Sequence, residues 1–159
     1  MFTMMMFSAL LGAACIASVA DPAAPVFSVR PIGFVAKAEG AVRIEVRPQY
    51  REALHGLSAS SHIIVLYWFD QSDTPEKREV LKVHPRGDRR NPLTGIFGTR
   101  SPVRPNPIGL SVCKILGIED GVIVIEDIEA FDKTPVIDIK PYIARLDSVP
   151  DAGGPKFFP

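Results

Sequence analysis

The chain reads as an all-β protein, a small β-barrel of short, mostly antiparallel strands with one or two short helices. Three observations predict this class. Short apolar or alternating runs recur at close intervals from Ile32 to Ile139. The 15 prolines and 12 glycines scattered through 159 residues favour turns and leave little room for long helices. A chain of that length suits one core, and many short strands with little helix close most readily as a small barrel.

Pro22 to Pro25 is a short linker, and Ile32-Gly33-Phe34-Val35 is a first strand. A second runs from Ala41 to Val46, where Val42, Ile44 and Val46 alternate with Arg43 and Glu45, one face buried and one wet. Tyr50 to Leu57 predicts a short helix, with Leu54 and Leu57 at helical spacing and Gly56 near its end. Ser61 to Phe69 is the strongest strand. Its run from Ile63 to Phe69 has no polar face, which predicts a central strand buried on both sides. Glu79 to His84 alternates again, and Ile96-Phe97 is a short strand. Leu110 to Ile118 and Val122 to Ile128 pair as a hairpin across Glu119-Asp120-Gly121. Val136 to Ile139 is a last short strand. The expected organisation is a leader and linker over 1–25, a barrel domain over 26–147 and a loose tail over 148–159.

The formal net charge is zero, but the charges are segregated. Lys82, Arg86, Arg89, Arg90, Arg100 and Arg104 face only Asp88 in sequence. Further on, Glu119, Asp120, Glu126, Asp127, Glu129, Asp132 and Asp138 face only Lys133. Such a chain can present one basic and one acidic face, or simply two solvated loop regions. Cys15 and Cys113 lie far apart, which argues against a structural disulfide. His55, His62 and His84 lack partners at ligand spacing, so no metal is expected.

Met1 to Ala20 is almost wholly apolar or small and ends in Ser18-Val19-Ala20, as a signal-peptidase site does. It lacks the basic start of a secretion signal and is marginal in length for a spanning helix. A secretion signal, a membrane-proximal anchor and upstream sequence from a misassigned start all fit it. Contact with a membrane is expected only if this leader is retained.

No G-x-G-x-x-G, Walker loop, G-x-S-x-G or H-E-x-x-H is present, which disfavours a Rossmann-type enzyme or a conventional serine or metal hydrolase. What stands out is Thr99-Arg100-Ser101-Pro102-Val103-Arg104-Pro105-Asn106-Pro107-Ile108-Gly109-Leu110-Ser111. Its prolines fix φ near −65°, donate no N–H and push the preceding residues to extended conformations. Asn106 is clamped between two of them, and Gly109 allows close approach of a ligand or another backbone. A rigid corner would account for this, but Arg100 and Arg104 on so stiff a loop favour a preorganised binding surface. His84 to Pro92 is a second stiffened polar loop, whose arginines suit phosphate or carboxylate. Asp132 to Tyr142 is a third polar stretch. Asp70-Gln71 places polar groups at the end of the strongest strand.

From Tyr50 to Tyr142 the chain resembles the TsaA-like (TrmO-type) tRNA methyltransferase family. The resemblance lies in Ser61 to Phe69, Gly95 to Ser111 and Thr134 to Tyr142. Characterised members methylate threonylcarbamoyladenosine beside the tRNA anticodon. The resemblance implies a small barrel that binds S-adenosylmethionine, with the site completed in a homodimer. Carried over by position, it implicates Asp70, Gln71, Arg100, Leu110 and Asp127-Ile128-Glu129 in cofactor binding. Arg104, Asn106 and Asp132 are the catalytic candidates at the rim. A sulfonium would be drawn to carboxylates such as Asp70, Glu129 or Asp132 and to the faces of Tyr67 or Phe69. Arg86, Arg89 and Arg90 would hold phosphates of the tRNA anticodon loop.

The expected activity is therefore methyl transfer to the exocyclic nitrogen of that nucleoside in the cytoplasm. The alternative is a non-catalytic or exported barrel that binds S-adenosylmethionine or a nucleotide. Lys133 stands where the family usually has Gly, which predicts a differently shaped loop there. The Pro-Arg-Gln element and the additional C-terminal domain of larger members are not found in this sequence.

Overall fold

The computed structural model describes residues 25–38 and 40–155. The apolar leader, Met1 to Ala20, lies outside them. Six antiparallel strands close a barrel, as the sequence predicts, and their order is β1-β2-β7-β6-β3-β8. They are β1 Gly33–Ala38, β2 Ala41–Val46, β3 His62–Trp68, β6 Ile108–Glu119, β7 Val122–Ile125 and β8 Pro135–Pro141. The two-residue strands β4 Lys82–Val83 and β5 Thr94–Gly95 pair with each other, apart from the barrel. Helix is limited to α1 Pro75–Arg78, α2 Ala144–Asp147 and several 3₁₀ turns. No helix among the described residues is long and apolar enough to cross a membrane.

Inward-facing residues from every barrel strand make the core. Val35, Ile44, Ile63, Val65, Cys113, Ile123, Ile125 and Val136 are all but inaccessible. Several are β-branched, as pleated half-buried surfaces favour. β6 and β7 meet in the expected hairpin, with Glu119 opposite Val122. The loop is only Asp120-Gly121, and both residues have positive φ, the geometry of a two-residue turn that matches strand twist.

Several local expectations change. β3 is central, flanked by β6 and β8, but it is not buried on both sides. Ile63, Val65 and Tyr67 point inward, whereas His62, Ile64, Leu66 and Trp68 are only half-buried. A closed barrel has one dry interior, and among the described residues no second layer buries this outer face fully. The predicted helix over Tyr50 to Leu57 is a 3₁₀ turn over Pro48–Leu54. A second turn, Leu57–Ala59, follows Gly56, whose φ is 80°. The run from Glu79 shortens to Lys82–Val83, and Ile96-Phe97 begins a 3₁₀ turn, not a strand. β7 stops at Ile125, where the chain leaves the sheet.

Candidate functional site

The proline-rich stretch is fixed to the end of β3. The Phe69 N–H donates to the Pro107 carbonyl at 2.7 Å, and the Ile108 N–H donates to the Asn106 carbonyl at 2.7 Å. Pro107 is fully buried. From Ile108 the chain enters β6, where Gly109 pairs with Tyr67. A Cβ on Gly109 would lie 2.3–2.8 Å from ring atoms of Tyr67. The glycine thus lets the phenol lie against bare backbone.

Tyr67 forms the floor of a cleft of about 940 Å³ at this end of the barrel. Its ring meets Phe69 edge to face, 5.3 Å between centroids. Its hydroxyl is 3.3 Å from that of Ser111. Burial pushes the phenol above its ordinary pKa, against a downward pull from the Ser111 hydrogen bond, while nearby Glu129 adds to the rise. The phenol is therefore neutral at physiological pH, a buried hydrogen-bonding group beside the cleft.

The residues singled out from sequence divide into those the cleft gathers and those it does not. Asp70, Gln71, Arg100, Arg104, Asn106 and Leu110 all line it, drawn from two separate stretches of chain. Glu129 lines it from the opposite loop. Arg104 Nη1 sits 3.5 Å from the carbonyls of Thr99 and Ser101, curling the loop on itself.

Asp127, Ile128 and Asp132 do not line the cleft. Ile128 is buried in the core, and its N–H donates to Asp127 Oδ1 at 2.7 Å. Asp132 Oδ1 accepts the Lys37 N–H at 2.9 Å, and Lys37 Nζ donates to the Ile128 carbonyl at 2.8 Å. Lys37 thus ties Ile128 and Asp132 to β1, and between them Glu129 and Phe131 line the cavity. Arg86, Arg89 and Arg90 are exposed and do not line the cleft. Arg90 is tied to Asp88 at 2.7 Å with its side chain 91 % exposed.

Sequence reasoning missed Lys77, Phe97 and Phe131, which also line the cleft. Phe97 and Phe131 are large aromatics left exposed. Their only signal in sequence was an aromatic residue inside a loop otherwise full of polar and turn residues.

A closed antiparallel barrel with a polar-rimmed, aromatic-floored cleft at one end is a small-ligand-binding barrel. The comparisons with known proteins make this specific. The model of the tRNA-methyltransferase O N-terminal domain matches residues 29–148, and the chain belongs to that family. A probable S-adenosyl-L-methionine-binding protein of Methanocaldococcus jannaschii is 47% identical over 121 residues, 76% of this chain and 96% of that one. A protein of Pyrococcus horikoshii with the same description is 49% identical, over 76% of this chain and 86% of the relative. Among solved structures, TrmO from Pseudomonas aeruginosa superposes with a TM-score of 0.68 at 31% identity, over 84% of this chain. This chain spans 62% of that one.

Proposed function

We propose that the cleft binds S-adenosylmethionine and that the chain is a methyltransferase dependent on it, acting on the exocyclic nitrogen of threonylcarbamoyladenosine beside the tRNA anticodon. The observation that carries the reading is the make-up of the cleft. Carboxylates (Asp70, Glu129), a guanidinium (Arg100) and an aromatic pair (Tyr67, Phe69) converge on about 940 Å³, within the range of about 300–1,000 Å³ usual for small-molecule sites. That set matches a ligand with a sulfonium, a carboxylate and an adenine. The fit follows from the chemistry of the donors, and the descriptions of the relatives support it. When bound, this cofactor supplies an electrophilic methyl group on positively charged sulfur.

The chain's own residues then have distinct tasks. Asp70 and Glu129 offer negative charge to the sulfonium, in a cleft whose apolar walls strengthen the attraction. Arg100 suits a carboxylate, and Leu110 offers an apolar face to the adenine. Asn106 and Arg104 stand at the rim, where they can orient the acceptor nitrogen, and positioning of this kind supplies much of the rate in such a transfer. Arg86 and Arg89 form no ion pair among the described residues, which leaves them available to phosphates. The working unit is the barrel over 26–147, and the proposed substrate places the activity in the cytoplasm.

A homodimer belongs to the same reading. The outer face of β6 exposes Leu110, Val112 and Leu116 (42%, 50% and 58%) and runs into the cleft through Ile108 and Leu110. Lys114 interrupts this face between Val112 and Leu116, and the apolar stretch Ile108, Leu110 and Val112 is the surface proposed to meet the partner. The test is titration calorimetry with S-adenosylmethionine, followed by methyl transfer to tRNA lacking the modification. Wild-type protein binds and transfers; Arg100→Ala binds at least about tenfold more weakly, the loss of roughly 1.4 kcal/mol. Absence of binding by the wild type overturns the reading. Binding without transfer to tRNA favours the non-catalytic alternative, as recovery of a cleaved, exported chain does.

A further inference from the structure

Arg78, at the end of α1, lies outside the cleft and is not among the residues discussed above. Its Nε donates to Asp73 Oδ1 at 2.5 Å, and its Nη1 donates to the Pro105 carbonyl at 3.0 Å. The guanidinium also lies over the Trp68 ring, 5.5 Å from its centroid. The Trp68 indole N–H in turn donates to Asp73 Oδ2 at 2.8 Å. Asp73 thus takes a bond on each oxygen, and the arginine is held from two sides.

The ion pair by itself accounts for little, since the two side chains are 37% and 31% exposed and such pairs contribute about 0–1 kcal/mol. What matters is where the second nitrogen goes. Pro105 and Pro107 flank Asn106. The Phe69 N–H holds the Pro107 carbonyl at 2.7 Å, and Arg78 holds the Pro105 carbonyl. Prolines stiffen the loop but cannot donate to the rest of the fold. Its carbonyls are the handles left for anchoring it.

We propose that Arg78 is a positioning residue for the cleft: braced by Asp73 and Trp68, it anchors the Pro105 carbonyl and so aims Asn106 into the cavity. The proposal rests on the functional reading above for its effect on ligand, but not for its effect on the loop. The fork geometry is what arginine supplies. A lysine can pair with Asp73 but cannot also reach Pro105 with a second rigid donor.

The experiment compares wild type, Arg78→Ala and Arg78→Lys by amide hydrogen exchange and by calorimetry with S-adenosylmethionine. In both variants, exchange at Phe69 and Ile108, whose N–H groups bond the Pro107 and Asn106 carbonyls, accelerates by about tenfold while the other barrel amides keep their rates, as expected for a local opening. Affinity falls about fivefold or more. Arg78→Lys keeps the positive charge and the aliphatic stem, and serves as the test should the alanine variant not fold. Wild-type exchange at Phe69 and Ile108 overturns the proposal, as does acceleration spread over the whole barrel. Local acceleration with unchanged affinity also overturns it. If the wild type binds no S-adenosylmethionine, the functional reading fails, and exchange alone decides whether Arg78 anchors the loop.

Discussion

Lys133 shows how one side chain can occupy a place made for none. Its φ is 65°, in the left-handed region where a Cβ crowds the backbone and costs about 1–2 kcal/mol. The family resemblance leads one to expect glycine here. Lys133 takes a conformation that glycine adopts readily, and its N–H donates to the Val35 carbonyl at 2.8 Å. Lys133→Gly is therefore expected to stabilise the protein by about 0.5–1 kcal/mol, the strain relieved less the extra freedom of the unfolded glycine. Urea unfolding measures it, and a destabilised variant would mean that the lysine side chain contributes more than its backbone costs. Gly109 is the converse case. There the glycine was legible as a place of close approach, but not that Tyr67 would be its neighbour.

The loop between β7 and β8 depends on β1. Lys37 reaches it twice, with its N–H on Asp132 and its Nζ on the Ile128 carbonyl. Asp127 and Ile128 were expected in the cofactor site by carry-over from the family resemblance, and Asp132 at its rim; nothing in sequence could pair Lys37 with a loop over 90 positions away. In the structure Lys37 ties Ile128 and Asp132 to β1, and Glu129 and Phe131 line the cavity. Lys37→Met removes the ammonium and keeps the backbone bond to Asp132. The expected result is a stability loss of about 1 kcal/mol, typical of one partly exposed hydrogen bond. Affinity for the proposed cofactor should drop severalfold, as read by calorimetry. Unchanged affinity would show that Glu129 is held by other means. The proline-rich loop was far more legible, because its rigidity is covalent and needs no distant partner.

The barrel's dry interior has a consequence at alkaline pH. Burial pushes the Cys113 thiol up to about 11 from an ordinary 9.0, with Asp127 adding in the same direction. A group whose pKa is raised by folding contributes stability that is complete below the unfolded value and disappears as pH climbs through the folded one. The window is therefore roughly pH 9 to 11. By linkage the loss by pH 10.5 is about 2 kcal/mol. Tyr67, raised by burial as well, acts in the same sense. Unfolding free energies measured at pH 8 and 10.5 should converge less steeply in Cys113→Ala than in wild type. Equal slopes would mean that the thiol ionises freely in the folded state.

Alternation with period two, prolines, glycines and charge segregation are local properties, and from them follow the all-β class, the β6–β7 hairpin and the stiff Arg100–Ser111 loop. The long motif also carried the family. Strand order, the one-sided burial of β3 and the division of the acidic loop into cavity-facing and scaffold residues follow from barrel closure, which brings β1 against β8 and Lys37 against Asp132. So does the anchoring of Pro105 by Arg78. Contacts between distant residues are set by how a curved sheet meets itself, and that geometry is not written in any single stretch of chain.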